Sequence, residues 1–235
     1  MPLHFFGHNS MILYMNSNIV GLIASFAFLG FVIVFAFLLG KKTAISSETM
    51  RKIIHIGVSN WWFIAIALFT TLSYALVGPI FFIIANSLFT FLNWGRFIGM
   101  DDRKRNYGLI YFPVTLLILV IFQYQGFLPV IACTIGVLVM GYGDGLAALI
   151  GRKWGKRKIA LPTGGKTWLG TLVMFLVSFL VTFIALLTTT LPMGSVVGIT
   201  LLVALLASFV EAITPLGLDN ITVPMLVAFL VGAFV

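Results

Sequence analysis

Asp144, Glu211 and Asp219 each stand at the edge of a long apolar run, and basic residues recur in the same short charged segments: Arg51 and Lys52 ahead of His55, Arg152 and Lys153 after Asp144, and Lys166 beside Thr167. Carboxylates that hold a divalent cation, with Lys and Arg that neutralise phosphate oxygens, are the parts that phosphoryl or nucleotidyl transfer requires. An ionisable group at a membrane boundary is costly and is a functional candidate by default.

The constellations differ in detail. Arg51 and His55 are four apart and share a helical face, which Ser59 continues one turn deeper. The plainer reading is a positive anchor with an interfacial His. Gly141, Gly143 and Gly145 surround Asp144 and permit close approach of backbone or ligand, while Ala147, Ala148 and Gly151 let a neighbouring helix come near. Six Lys or Arg lie between 152 and 166, a field suited to polyphosphate or to anionic lipid headgroups. Gly164-Gly165-Lys166-Thr167 ends like a P-loop, but the glycine required further upstream is Ala160 and Pro162 intervenes, so a Walker A loop is not expected. Gly141-Tyr142-Gly143-Asp144 differs from a potassium filter in its preceding residues, Val139-Met140. Residues 211–220 carry Glu211, Asp219 and Asn220 and no Lys or Arg; carboxylate and amide oxygens facing a basic cluster suit a Mg²⁺-phosphate site. Asn86 and Asn93 lie seven apart on one face, where interhelical hydrogen bonding is expected.

The elements that must carry these groups follow from composition. Of 235 residues 61% are apolar and 9% charged, with a net charge of +8, and mean hydropathy is +1.15. This excludes a water-soluble globule and a disordered chain. The single cysteine, Cys133, excludes an internal disulfide and a Cys-based metal site. All charges fall within 41–52, 96–105, 144–166 and 211–219. The charge-free runs 53–95, 106–143 and 167–210 each fit two spans of about 20 residues, with turn-like residues near each midpoint, at 70–73, 123–126 and 189–195. An even number of crossings returns the chain to one side, so all four charged segments share a face, which the positive-inside rule makes cytoplasmic. With a first span near 19–39 and a short last one near 221–235, the expectation is an all-α polytopic membrane protein of about eight transmembrane helices. It is a single integral-membrane domain over 1–235, with an uncleaved, extracytoplasmic segment 1–18. Small-residue faces are compatible with a homo-oligomer, and no nucleic-acid partner is expected.

Arg51-Lys52-x-x-His55, Tyr107-Gly108, Gly143-Asp144-x-x-Ala147-x-x-x-Gly151, Lys166-Thr167-x-x-Gly170, and Glu211 followed by Asp219-Asn220 and Pro224 resemble the polyprenol kinase family, over roughly 51 to 224. That family includes dolichol kinase, phytol kinase and the CTP-dependent diacylglycerol kinase. Leu169 stands where members often carry Glu. The resemblance implies a multi-pass kinase of the cell membrane. It would phosphorylate a lipid alcohol (polyprenol, phytol or a similar isoprenoid, or diacylglycerol) from a nucleoside triphosphate, with CTP favoured over ATP.

On that reading Asp144 and Asp219 hold Mg²⁺ on the triphosphate, supported by Glu211 and Asn220. Lys166 and Arg51 neutralise phosphate charge, with Lys52, Arg152, Lys153, Thr167, Gly143 and Gly145 also on the nucleotide. Asp144 or His55 orients or deprotonates the lipid hydroxyl, with Lys166 as a third catalytic group, and the spans around Asn86 and Tyr107 form a groove for the lipid chain. The competing readings are cytidylyl transfer to a phospholipid, which uses the same groups at the α-phosphorus, and a small lipid or ion transporter. Transporters gather polar groups near the midplane and often carry inverted repeats, whereas here the charges crowd one face and no repeat is evident.

Overall fold

The computed structural model describes residues 7–43, 45–92, 94, 103–160 and 165–235. Asn93, residues 96–102 of the second charged segment, Pro162 and Gly164 lie outside the described residues. The elements among the described residues are helices: α1 Gly7–Thr43, α2 Ser47–Ser59, α3 Trp61–Leu68, α4 Leu72–Phe91, α5 Arg103–Tyr124, α6 Val130–Leu138, a π-helical turn Val139–Asp144, α7 Gly145–Trp154, α8 Trp168–Leu186, α9 Met193–Ile213 and α10 Asp219–Gly232. The three turn-like stretches fall between α3 and α4, α5 and α6, and α8 and α9.

Among the described residues six helices are long and apolar enough to cross a membrane, and this is a polytopic all-α membrane protein. The two further crossings expected from the sequence correspond to α10, which is shorter, and to α2 with α3, which are interrupted at Asn60. The interruption has a local cause. The Asn60 amide donates to the Ile56 carbonyl at 2.8 Å, competing with the backbone ladder. Its Oδ1 in turn accepts from the Tyr142 hydroxyl at 2.7 Å. Beyond the break, Trp61 and Trp62 are buried and their indole N–H groups find hydroxyls on two other helices, Ser25 at 2.9 Å and Thr134 at 2.8 Å.

The span from Val130 to Trp154 is the central post of the bundle. Of its most apolar stretch 72% is buried within the protein, against 17% for α4, which faces outward along most of its length. Ile135, Val137, Val139 and Met140 of this post are wholly buried. Elsewhere α1, α8 and α9 turn Phe, Leu and Ile side chains outward, as helices facing lipid do.

The π turn lies where neighbours press closest. A Cβ on Gly141 would stand 2.1 Å from the Ser59 hydroxyl, on Gly143 2.6 Å from the Met174 sulfur, and on Gly145 2.3 Å from Ile56 Cγ1. These glycines admit α2 and α8 against the post, and Asp144 closes the turn with 4% exposure.

Candidate functional site

Three charged segments that are far apart in the chain meet at one end of the bundle. Asp144, Glu211 and Asp219 are all buried and bring one oxygen each within 4.8 Å of one another. Asp144 arrives from the π turn, Glu211 from the last turn of α9, and Asp219 as the first residue of α10.

Two lysines stand against this cluster. Lys52 Nζ lies 2.5 Å from Asp144 Oδ2. Lys166 Nζ lies 2.8 Å from Glu211 Oε1 and 2.9 Å from Asp219 Oδ2, and also donates to the Glu211 backbone carbonyl. Burial alone would push the Lys166 ammonium down, but Asp219 and Glu211 together outweigh it and hold the group above the ordinary lysine range. The cluster thus carries three carboxylates against two ammonium groups.

Lys166 is placed by its neighbours. The loop after α7 doubles back, with Ile159 N–H donating to the Lys166 carbonyl at 2.9 Å and Trp168 N–H to the Arg157 carbonyl at 3.1 Å. Thr167 then caps α8, its hydroxyl accepting from Gly170 N–H at 3.0 Å. Gly151 of α7 packs there: a Cβ on it would lie 2.7 Å from Thr167 Oγ1 and 3.1 Å from Gly170 Cα. The Ala147-x-x-x-Gly151 and Thr167-x-x-Gly170 patterns are therefore two sides of one close α7–α8 crossing.

Asp219 and Asn220 are fixed just as closely. Asp219 Oδ1 accepts from both the backbone and the side-chain nitrogen of Asn220 at 3.0 Å. The turn before α10 runs through Leu216 and Gly217, both with positive φ (59° and 79°). At Gly217 a side chain would also meet Gly108 Cα at 3.0 Å, which explains the glycine at 108.

Two prolines contribute in a way the sequence pattern did not disclose. Pro224 cannot donate to the Asn220 carbonyl one turn back, and Thr115 Oγ1 donates to it instead at 2.7 Å. Pro113 likewise frees the Leu109 carbonyl, which accepts from Asn86 Nδ2 at 2.7 Å. Each proline trades an intrahelical bond for one to a neighbouring helix, and both bonds hold α5 close to the site.

His55 sits between the acids and the apolar interior. Its Nε2 is 3.8 Å from Asp144 Oδ2 and has no hydrogen-bond partner among the described residues, and its ring lies 4.3 Å from that of Phe112. Arg51 and Arg152 both reach Glu48, Arg51 through Nη2 on Oε2 and Arg152 at 3.4 Å from Oε1. Glu48 was not singled out from the sequence; the signal was present, since it is the one acid of the first charged segment, three residues before Arg51.

A cavity of about 640 Å³ joins these groups. At the charged end it is lined by Glu48, Arg51, Lys52, Asp144, Lys166 and Asp219, and further in by Leu29, Phe82, Phe89, Phe112 and Leu116. Arg152, Thr167, Glu211, Asn220, His55 and Asn86 also line it. Of the other expected site residues, Gly143 and Gly145 turn to Met174 and Ile56. Lys153 lies 4.6 Å over the Trp154 ring, and Tyr107 lies against Tyr111.

The donor set suits a hard divalent cation such as Mg²⁺, since all candidate ligands are oxygens. One of them, Glu211 Oε2, is buried with no hydrogen-bond partner among the described residues.

Fold and site together define an integral-membrane protein whose charged chemistry is gathered at one end of an apolar cavity. The chain is 34% identical over 221 residues to phytol kinase from Synechocystis sp., a match covering 88% of this chain and 87% of that one. The chain belongs to the polyprenol kinase family. No family model and no solved structure matches it.

Proposed function

We propose that the chain is a lipid kinase that moves the γ-phosphate of a nucleoside triphosphate, CTP before ATP, to the hydroxyl of a lipid alcohol at the cytoplasmic face of the cell membrane. One observation carries this reading: the buried carboxylates and lysines sit at the charged end of a cavity whose other walls are apolar. Kinship to a phytol kinase favours an isoprenoid alcohol as acceptor. The basic loop with exposed Trp154 and Trp168 suits an anionic leaflet.

In this reading Asp144, Asp219 and Glu211, with Asn220 in support, hold Mg²⁺, which offsets charge on the triphosphate when bound. Lys166 ties Glu211 to Asp219, and Lys52 steadies Asp144. Arg51 and Arg152 exchange Glu48 for phosphate oxygens, to which their planar forks are matched. Lys153 and Thr167 flank the nucleotide. The acceptor hydroxyl lies beside His55 and Asp144, with its chain along Phe112 and the α4–α5 wall near Asn86 and Tyr107. As the hydroxyl oxygen bonds to the γ-phosphorus, its proton passes to Asp144 or His55 and the bond to the β-phosphate oxygen breaks, releasing the nucleoside diphosphate.

The test is label transfer by purified protein in lipid, using CTP and ATP labelled at the γ- or the α-phosphate, with a panel of lipid alcohols and phosphatidic acid. γ-Label in the organic phase is the expected result. α-Label there would replace the kinase with a nucleotidyl transferase, and no transfer under any condition would overturn both.

A further inference from the structure

The exposed residues that line the cavity lie in two places. Among its described lining residues, Arg152, Gly165, Pro215 and Leu216 are exposed, all at helix ends or loops on the charged side. The other exposed lining residues are Ile33 and Phe37, at 43% and 41%, and both lie inside the long apolar helix α1. Leu29, one turn further from the charged end on the same face, also lines the cavity but is sealed, with 3% exposure.

Packing bounds this second exposed stretch. About two turns away from Ile33, Phe26 meets Phe81 of α4 edge-on at 5.2 Å and closes the α1–α4 seam. Towards the charged end, Ala36 of α1 and Met50 of α2 pack with Phe89 of α4. Ile33 lies between these closures and Phe37 one residue past Ala36, and both line the cavity and are exposed. Phe37 is four residues from Lys41, about 6 Å along the helix. The gap therefore lies at the depth of the leaflet nearest the charged segments.

We infer that Ile33 and Phe37 frame a lateral door through which the apolar chain of the acceptor alcohol slides from the bilayer, while the triphosphate comes by the loop opening. The acceptor's identity as an alcohol rests on the kinase reading; the door itself rests on the two exposures. The cavity must hold the triphosphate as well as the acceptor head. A long chain therefore lies with its head by His55 and its far end still in the bilayer, and the site takes a single-chain lipid rather than a fixed chain length.

The experiment compares wild type, Ile33→Trp and Phe37→Ala in vesicles, with a long-chain isoprenoid alcohol and a short water-soluble one. Ile33→Trp fills the door, so the ratio of long- to short-chain turnover falls about tenfold. Phe37→Ala leaves that ratio equal or raised. A ratio unchanged by Ile33→Trp overturns the door. If wild type phosphorylates neither alcohol, the kinase reading fails, and the door is judged by a long-chain diazirine alcohol photo-crosslinked to the protein. Label on the α1 stretch at 33–37 and on α4, lost in Ile33→Trp, upholds it. Label spread evenly over the lipid-facing helices overturns it.

Discussion

The hydroxyl of Thr115 on α5 donates to the carbonyl of Asn220 on α10 at 2.7 Å, across 105 residues of chain, because Pro224 cannot. Both partners are buried, and Asn220 adjoins Asp219 of the carboxylate cluster. Thr115→Val should leave a buried carbonyl unsatisfied and cost about 1–3 kcal/mol, while Thr115→Ser keeps the bond. In a Pro224→Ala background the new N–H at 224 takes the carbonyl, so the Thr115→Val penalty should shrink. Thermal unfolding of wild type and the four variants in detergent measures this; a Thr115→Val penalty equal in both backgrounds would refute the exchange.

Asp144→Asn and Asp219→Asn should each abolish phosphoryl transfer and weaken Mn²⁺ binding by at least about tenfold, since carboxylates supply the charge a hard cation needs. Both amides keep an oxygen for Lys52 or Lys166, so the unfolding temperature should move little. Turnover, a Mn²⁺ titration read by electron paramagnetic resonance and a thermal melt together separate loss of metal from loss of fold.

Glu48 holds Arg51 and Arg152 at the mouth of the cavity. Glu48→Gln removes the competitor for both guanidinium groups. The nucleotide KM should fall by a few-fold, equivalent to roughly 0.5–1 kcal/mol for a partly screened pair. Initial rates against nucleotide concentration, at low and high salt, check this; a raised KM would mean that Glu48 orients the arginines for phosphate.

Gly151→Ala pushes a methyl group to 2.7 Å from Thr167 Oγ1 and into the α7–α8 crossing. Overpacking of this kind costs about 1–3 kcal/mol, and here it displaces Thr167 and with it Lys166. Gly151→Ala should lower both the unfolding temperature and turnover, whereas Ala148→Gly, one turn away on the cavity side, should spare the crossing. Paired melts and rate measurements distinguish the two.

Much of the architecture was legible because charge is expensive in a membrane: the charged segments had to lie at helix ends, and Asp144, Glu211 and Asp219 stood out for that reason. The three carboxylates meet at one end of the bundle, while Lys166, read as a phosphate-facing cation, pairs with Glu211 and Asp219. Other contacts were hidden because they are made in space. Lys52 read as one more phosphate-facing cation, and only folding brings it to Asp144, 92 residues away. Gly143 and Gly145 read as room for a ligand, yet Met174 and Ile56 use that room, since a missing Cβ does not say what approaches. Asn60 gave no sign that it would split a span, because its effect depends on Tyr142 from another helix. Pro113 and Pro224 sit inside helices, and the amide and hydroxyl that take up the carbonyls they free lie on neighbouring helices, which sequence alone does not show.

The π turn at Val139–Asp144 holds one residue more per turn than the helices on either side. The post that runs through the bundle is therefore two helices of independent register joined by a wide coupling. Its α6 half answers to the apolar packing around Trp62 and α10, while its α7 half answers to the crossing with α8 and aims Asp144 and Arg152 at the cavity. Removing one residue from the coupling would turn one half against the other by about 100° and carry Asp144 off the cluster. Substitutions that preserve length in α6 leave that aim alone.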